Sequence, residues 1–159
     1  MKNPVPATEP TDLAKAQART LQQMASLYRS ELAAMETYTR ALCHASLVRY
    51  TNVLQRQKRV HQERVTALST RLQDLGAPLP ASSGAWGTFV RITEEAAASF
   101  SPELALAVLE EEEDTLARDY LGSLEFIDAT SRTLVSERLL PAQNVTHHVV
   151  RRIHEDSAA

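Results

Sequence analysis

Apolar residues in this chain recur alternately three and four positions apart, over long stretches that contain neither glycine nor proline. No Gly or Pro occurs between Thr11 and Leu75, and the 159 residues include only 4 Gly and 7 Pro. This spacing places one apolar seam along the side of an α-helix. Strong helix formers such as Ala, Leu, Glu, Arg and Gln dominate these stretches, and strand-like alternation is absent. The sequence therefore predicts an all-α protein, long enough to bury a core in one domain.

The first half of the chain predicts two helices, A and B. Helix A is expected from near Thr11 to near Cys43. A tight turn near Ala45–Leu47 is expected to follow it, because one continuous helix would run past about 60 residues. Helix B is expected to end at Gly76, since glycine favours the left-handed conformation that ends many helices.

A different kind of segment, from Gly76 to Ser101, separates these helices from the second half. It is expected to form a loop rich in proline and serine, and then a short amphipathic helix from about Trp86 to Ala96. Ser101 followed by Pro102 is a helix start signal, because proline lacks the amide that would have no partner in the first turn. Helix C is expected to begin there.

Helix D is expected to open after Asp128–Ser131. Pro141 lies within it and removes one backbone hydrogen bond, so a kink or break is expected near Arg138–Leu140. At the other end of the chain, residues 1–12 contain three prolines and are expected to be a disordered lead-in. The predicted plan is a helical hairpin, a long crossover and a second hairpin, forming one domain over residues 13–155.

Charge and cysteine content argue against several classes of protein. The formal net charge is -3, and no stretch approaches the roughly 20 apolar residues that span a membrane. We therefore expect neither a nucleic-acid partner nor a membrane partner. A single cysteine excludes an internal disulfide and, without an apolar leader, favours the cytoplasm. One short basic run is expected to be the solvated face of helix B: Arg49, Arg56, Lys58, Arg59 and Arg64.

Four ionisable residues occupy seam positions where leucine would be expected, one in each helix. They are Glu31, His61, Glu113 and His147. With turns near residues 46 and 130, each lies about 15 to 17 residues from its turn, or roughly 22–26 Å along the helix axis. All four are therefore expected at one height in the interior, with each Glu facing the His of its own hairpin.

One interpretation of these residues is a metal site. Two carboxylates and two imidazoles suit iron, manganese or zinc. A dinuclear carboxylate centre would use two Glu-x-x-His motifs. Here Lys58 and Asn144 stand where those glutamates would be, so a dinuclear oxidase is disfavoured.

The other interpretation is a metal-free network of buried polar groups. Glu31 and Glu113 would hydrogen-bond the histidines, and Tyr38 and Tyr120, each seven residues beyond a glutamate, would donate their hydroxyls. Satisfied networks of this kind are tolerated inside helical proteins and can set the helix register.

Several segments together resemble one known family, an uncharacterised bacterial ferritin-like family known as domain of unknown function 2383. The resemblance covers the chain from about Leu21 to His148. It is carried by Ser30 to Tyr38, His61 with Arg64, the Ser-Gly-Ala-Trp-Gly stretch from Ser83 to Gly87, Glu113 to Tyr120, and Leu139-Leu140-Pro141 with a following histidine. It implies a ferritin-like four-helix bundle, in which a long crossover with a short helix lets helix C run parallel to helix B. It implies no established activity, and by analogy with related metal-binding proteins it implies Glu31, His61, Glu113 and His147 as ligands.

Two functions are therefore expected from the sequence. The first is a ferritin-like protein of unassigned activity that binds iron, or another divalent transition metal such as manganese or zinc, in a degenerate Glu/His core site. The second is a metal-free structural or protein-interaction bundle with a buried polar network. No catalytic residue is identified, and a non-enzymatic role, with a homodimer or other homo-oligomer, is favoured.

Overall fold

The described part of the chain, residues 11–84 and 101–157 of a computed structural model, is helical and contains no strand. Three long helices come first: α1 (Asp12–Cys43), α2 (Thr51–Asp74) and α3 (Pro102–Ser123). A shorter 3-10 helix (Ala45–Tyr50) joins the first two. The fourth helical stretch is irregular and consists of α4 (Ala129–Leu134), a π-helix (Val135–Leu139) and α5 (Leu140–Ser157).

The predicted starts of helices A, C and D are confirmed, and each has a side-chain cap that accepts a hydrogen bond from a first-turn amide. Thr11 caps α1, and Ser101 caps α3 with Pro102 in the first turn. The Asp128 carboxylate caps α4 by accepting from the Ser131 amide at 2.7 Å. These caps satisfy donors that have no partner within the helix.

The predicted reversal between the first two helices is also confirmed. The α1 helix ends at Cys43, and the 3-10 helix that spans Ala45–Leu47 carries the chain into α2. The connection is longer than the tight turn that was expected. At the far end of α2, Gly76 has φ +70° and donates its amide to the Gln73 carbonyl at 2.9 Å, as expected for a glycine that ends a helix.

The irregularity expected around Arg138–Leu140 is present as the π-helix. Pro141 has no amide proton to give to the carbonyl of Glu137 one turn earlier, so a regular α-helical ladder cannot continue there. The chain accommodates this with wider π turns that end at Leu139, and the α-helix resumes at Leu140.

Two buried clusters show how the helices run. One joins the first half of α1 to the last turns of α2 and α3, through Met24, Leu27, Leu68, Leu72, Leu116 and Tyr120. The other joins the end of α1 to the first turns of α2 and α3 and the end of α5, through Tyr38, Ala41, Leu54, Leu106, Leu109 and Val150. It follows that α2 and α3 run in the same direction, and that α1 and α5 run opposite to both.

The chain after α2 is described only in part. Ser83 donates to Oε2 of Glu36 at 2.9 Å, so residue 83 lies alongside the second half of α1. The short helix predicted from Trp86 to Ala96 lies outside the described residues, as do residues 1–10 of the predicted lead-in. Among the residues that the structure describes, no helix is both long enough and apolar enough to span a membrane.

Candidate functional site

Three of the four sequence-predicted site residues meet in the core between α1, α2 and α3. Glu31, His61 and Glu113 are all completely buried. The Nδ1 atom of His61 lies 2.8 Å from Oε2 of Glu31, and its Nε2 atom lies 3.0 Å from Oε1 of Glu113. One imidazole therefore bridges two carboxylates from different helices. Glu31 faces the histidine of its own hairpin as expected, whereas Glu113 faces His61 and not His147.

His147 is the exception, and its predicted inward position is wrong. Its side chain is 27% exposed, and its Nε2 atom lies 2.8 Å from Oδ1 of Asp114, a partly exposed residue of α3. Thr146 is buried in its place, and its hydroxyl donates to the Gln143 carbonyl at 2.9 Å. Spacings of three and four residues after Gln143 are equally compatible with a helical seam. The Thr146 hydroxyl can form its hydrogen bond in the interior, whereas the His147 imidazole pairs with the partly exposed Asp114 carboxylate.

Arg64 corrects a second expectation, because it is not part of a solvated basic face. Its side chain is 2% exposed, and Nε donates to Oε1 of Glu31 at 2.6 Å. The Nη1 atom lies 3.3 Å from the Thr146 hydroxyl. The basic run wrongly placed this residue in solvent, although Arg64 follows His61 by three positions and so shares its helix face.

The guanidinium of Arg64 lies over the face of the His61 ring. Its Nη2 atom is 2.7 Å from Nδ1 and 3.5 Å from Nε2. A donor in the ring plane would approach one ring nitrogen and lie much farther from the other, so these two distances place Nη2 above the ring. Both in-plane directions of the imidazole thus remain free to donate to the two carboxylates.

Two tyrosines and an amide complete the network. The hydroxyls donate across the core, Tyr38 to Oε1 of Glu113 at 2.5 Å and Tyr120 to Oε1 of Glu31 at 2.6 Å. This confirms the predicted tyrosine donors. The Nε2 atom of Gln143 lies 2.7 Å from Oε2 of Glu113 and 2.9 Å from its backbone carbonyl oxygen. Every oxygen of the two carboxylates therefore has a donor.

The hydrogen bonds and charges of the network favour the ionised forms of four groups, the side chains of Glu31, Glu113, His61 and Arg64. Burial raises the pKa of the Glu31 and Glu113 carboxyls, but the hydrogen bonds and charge of His61, with the charge of Arg64, outweigh it and lower both pKa values. Burial lowers the pKa of His61, but its hydrogen bonds to both glutamates outweigh burial and raise it. Two carboxylates, one imidazolium and one guanidinium sum to zero charge.

The tyrosines stay neutral beside these charges. Burial, followed by the negative charge of the neighbouring carboxylate, raises the pKa of Tyr38 and of Tyr120 well above the ordinary value. Both phenols therefore keep their protons and act as donors only. A satisfied, neutral cluster of this kind avoids the cost of an isolated buried charge.

These residues do not fit a divalent metal as they stand. The carboxylate oxygens accept from Arg64, His61, the tyrosines and Gln143, and both ring nitrogens of His61 face carboxylates. Within residues 11–84 and 101–157, no three side chains of His, Cys, Asp or Glu are arranged to hold a metal ion. A divalent cation added to a neutral cluster would also leave two uncompensated positive charges in the interior.

A narrow cleft of about 50 Å³ reaches the network from the side of the π-helix. It is lined by Val60, Glu63, Arg64, Arg138, Leu139 and Ala142. The volume suits one or two water molecules. It is thus a route by which solvent approaches the guanidinium of Arg64.

Comparison of the chain with protein-family models, with curated proteins and with solved structures gave no match. The resemblance to a ferritin-like family therefore stays a prediction from the sequence.

Proposed function

We propose that this protein is a metal-free helical scaffold, whose core is held by a neutral ion network and which acts through protein contacts. The position of Arg64 carries this proposal. Its guanidinium donates to Glu31 and covers the His61 ring, so it takes up the space beside the two strongest metal-ligating groups. Four mutually satisfied charges give the core a specific register without a metal ion.

The metal-binding alternative keeps one point in its favour, since Glu31, His61 and Glu113 do converge. However, a metal on these residues would have to displace the guanidinium and at least one proton of His61. It would also break hydrogen bonds that the carboxylates already accept. The donor set therefore supports the metal-free function better than a core site for iron, manganese or zinc.

Elemental analysis of the purified, untagged protein tests the proposal. Cells would be supplemented with iron, manganese and zinc, and His61→Leu would be analysed beside the wild type. We expect far less than one metal ion per chain in both proteins, and a thermal unfolding midpoint that a chelator leaves unchanged. Near-stoichiometric metal in the wild type that is lost in His61→Leu would overturn the proposal.

A ferritin-like topology is part of the same proposal. Its support is the shared direction of α2 and α3, since a short hairpin turn would make the two helices antiparallel. The contact of Ser83 with Glu36, in the second half of α1, supports it further. The cytoplasmic location and bacterial occurrence inferred from the sequence stay predictions.

Self-association is the protein contact that the surface supports best. A groove of about 440 Å³ runs between the start of α1 and the α3–α4 connection, with Leu13 80% exposed and Phe126 47% exposed at its rim. Arg19 and Glu125 also line it, so the groove carries one cation and one carboxylate, a self-complementary pair of charges for a two-fold contact. A second copy of the chain is therefore the proposed occupant.

Sedimentation velocity over a range of concentrations tests this contact. We expect Phe126→Ser to shift the protein toward the monomer. Val145→Ser is the matched control, because Val145 is 61% exposed but lies outside the groove. A wild-type protein that is monomeric at every concentration would overturn the proposed self-association, and equal effects of the two variants would overturn the assignment to the groove.

A further inference from the structure

The geometry points to Arg64 as the residue that closes this core to divalent metal ions: its guanidinium contacts Glu31 and His61 together and so sets a positive charge directly beside the place where a metal bound by both would lie. This inference rests on the proposed metal-free function. The relevant distances are 2.6 Å from Nε to Oε1 of Glu31 and 2.7 Å from Nη2 to Nδ1 of His61. One side chain is therefore in contact with both groups at once.

The charges of the network make the same point. The guanidinium and the imidazolium together supply two positive charges against the carboxylates of Glu31 and Glu113. A divalent metal with a neutral His61 would supply the same two charges. If the guanidinium and one His61 proton were lost, a bound divalent cation would restore the two positive charges, and the net charge of the core would stay zero.

The hydrogen bond on the far side of His61 would support a metal on the near side. The Nε2 atom lies 3.0 Å from Oε1 of Glu113, which also accepts from Tyr38. If Nδ1 coordinated a metal, Nε2–H would donate to Glu113. Carboxylates commonly orient metal-binding histidines through their second nitrogen in this way.

What the present chain lacks is a third ligand on the near side, and position 64 can provide one. The Nε2 atom of a histidine lies about as far from its Cβ as the Nε atom of an arginine does. Arg64→His would therefore bring an imidazole nitrogen close to Oε1 of Glu31, beside Nδ1 of His61. Two imidazoles and a carboxylate are a donor set used for zinc and for ferrous iron.

Titration calorimetry with Zn²⁺ tests the inference on the full chain at neutral pH. We expect Arg64→His to bind about one Zn²⁺ per chain, with proton release that is visible as a dependence of the heat on the buffer. The wild type and Arg64→Lys, which keeps the cation, should bind none. Adding Glu31→Gln to Arg64→His should weaken binding at least about tenfold.

The outcomes separate this inference from the proposed function. Zn²⁺ binding by the wild type at the core would overturn the metal-free function. A metal-free wild type together with a folded Arg64→His that binds no Zn²⁺, or with an Arg64→Lys that does bind it, would overturn the role of Arg64 alone. If Arg64→His is unfolded without metal, helical circular dichroism decides: recovery with Zn²⁺ but not Mg²⁺ supports the inference, and no recovery overturns it.

Discussion

The hydroxyl of Tyr38 on α1 donates a 2.5 Å hydrogen bond to Glu113 on α3, not to Glu31 on its own helix. The reverse contact, from Tyr120 on α3 to Glu31 on α1, is 2.6 Å long. Each tyrosine follows a glutamate of its own helix by seven residues. Because α1 and α3 run in opposite directions, this spacing sets each tyrosine opposite the glutamate of the other helix. These two reciprocal hydrogen bonds connect α1 and α3 on both sides of His61.

Removing either tyrosine hydroxyl should weaken the fold by a similar amount. Tyr38→Phe and Tyr120→Phe keep the ring and remove one donor to an ionised carboxylate, so we expect each to lower the free energy of unfolding by about 1.5–3 kcal/mol. Tyr50→Phe is the control, because the Tyr50 hydroxyl pairs with Arg49 at the surface, and it should change stability by less than about 0.5 kcal/mol. Urea denaturation measures all three. Equal effects of the core and surface variants would contradict the proposed network.

Arg64 should matter far more than an exposed arginine of α2. Arg64→Met leaves the two buried carboxylates with only one cation, so we expect a loss of about 3–5 kcal/mol in the free energy of unfolding. Arg59 is exposed on the same helix, and Arg59→Met should stay within about 0.5 kcal/mol of the wild type. Denaturant unfolding of the two variants side by side makes the comparison. A loss below about 1 kcal/mol for Arg64→Met would show that Glu31 finds another partner or binds a proton.

The features that depended on local chemistry were predictable from the sequence. Thr11, Ser101 and Asp128 cap helices because their oxygens accept from first-turn amides, and Pro141 disturbs its helix because it lacks an amide proton. Glu31, His61 and Glu113 were identified as buried because they interrupt an apolar seam. Each of these inferences used only a residue and its neighbours along the chain.

The features that depended on contacts between helices were not predictable in the same way. Arg64 could be placed in solvent as reasonably as in the core until Glu31 was known to lie within its reach. The choice between Thr146 and His147 depended on Asp114, which is on another helix. Both residues satisfy a helical spacing, so only the packing of α5 against α3 decides which one is buried.

Replacing the donating amide of Gln143 by a carboxylate should destabilise the protein more than removing the amide. Its amide donates to both the carboxylate and the backbone carbonyl of Glu113. Gln143→Met removes the donor, and we expect a loss of about 1–3 kcal/mol. Gln143→Glu has nearly the same shape but sets a second carboxylate against Glu113, so the loss at neutral pH should reach about 3–5 kcal/mol. Urea unfolding checks both, and a smaller loss for Gln143→Glu than for Gln143→Met would contradict this account.

The network should give the protein its greatest stability in mildly acidic solution. The pKa of His61 is raised from 6.5, so its contribution is complete below that pH and is lost as the pH rises through the folded-state pKa. The pKa values of Glu31 and Glu113 are lowered from 4.5, so their contribution is complete above that pH and is lost as the pH falls through their folded-state values. The free energy of unfolding, measured with urea from about pH 4 to about pH 9, should therefore be highest between about 4.5 and 6.5 and decline on both sides. In His61→Gln, which carries no ionisable group at position 61, the decline above pH 6.5 should be largely absent. An unchanged decline in that variant would assign the alkaline loss to other groups.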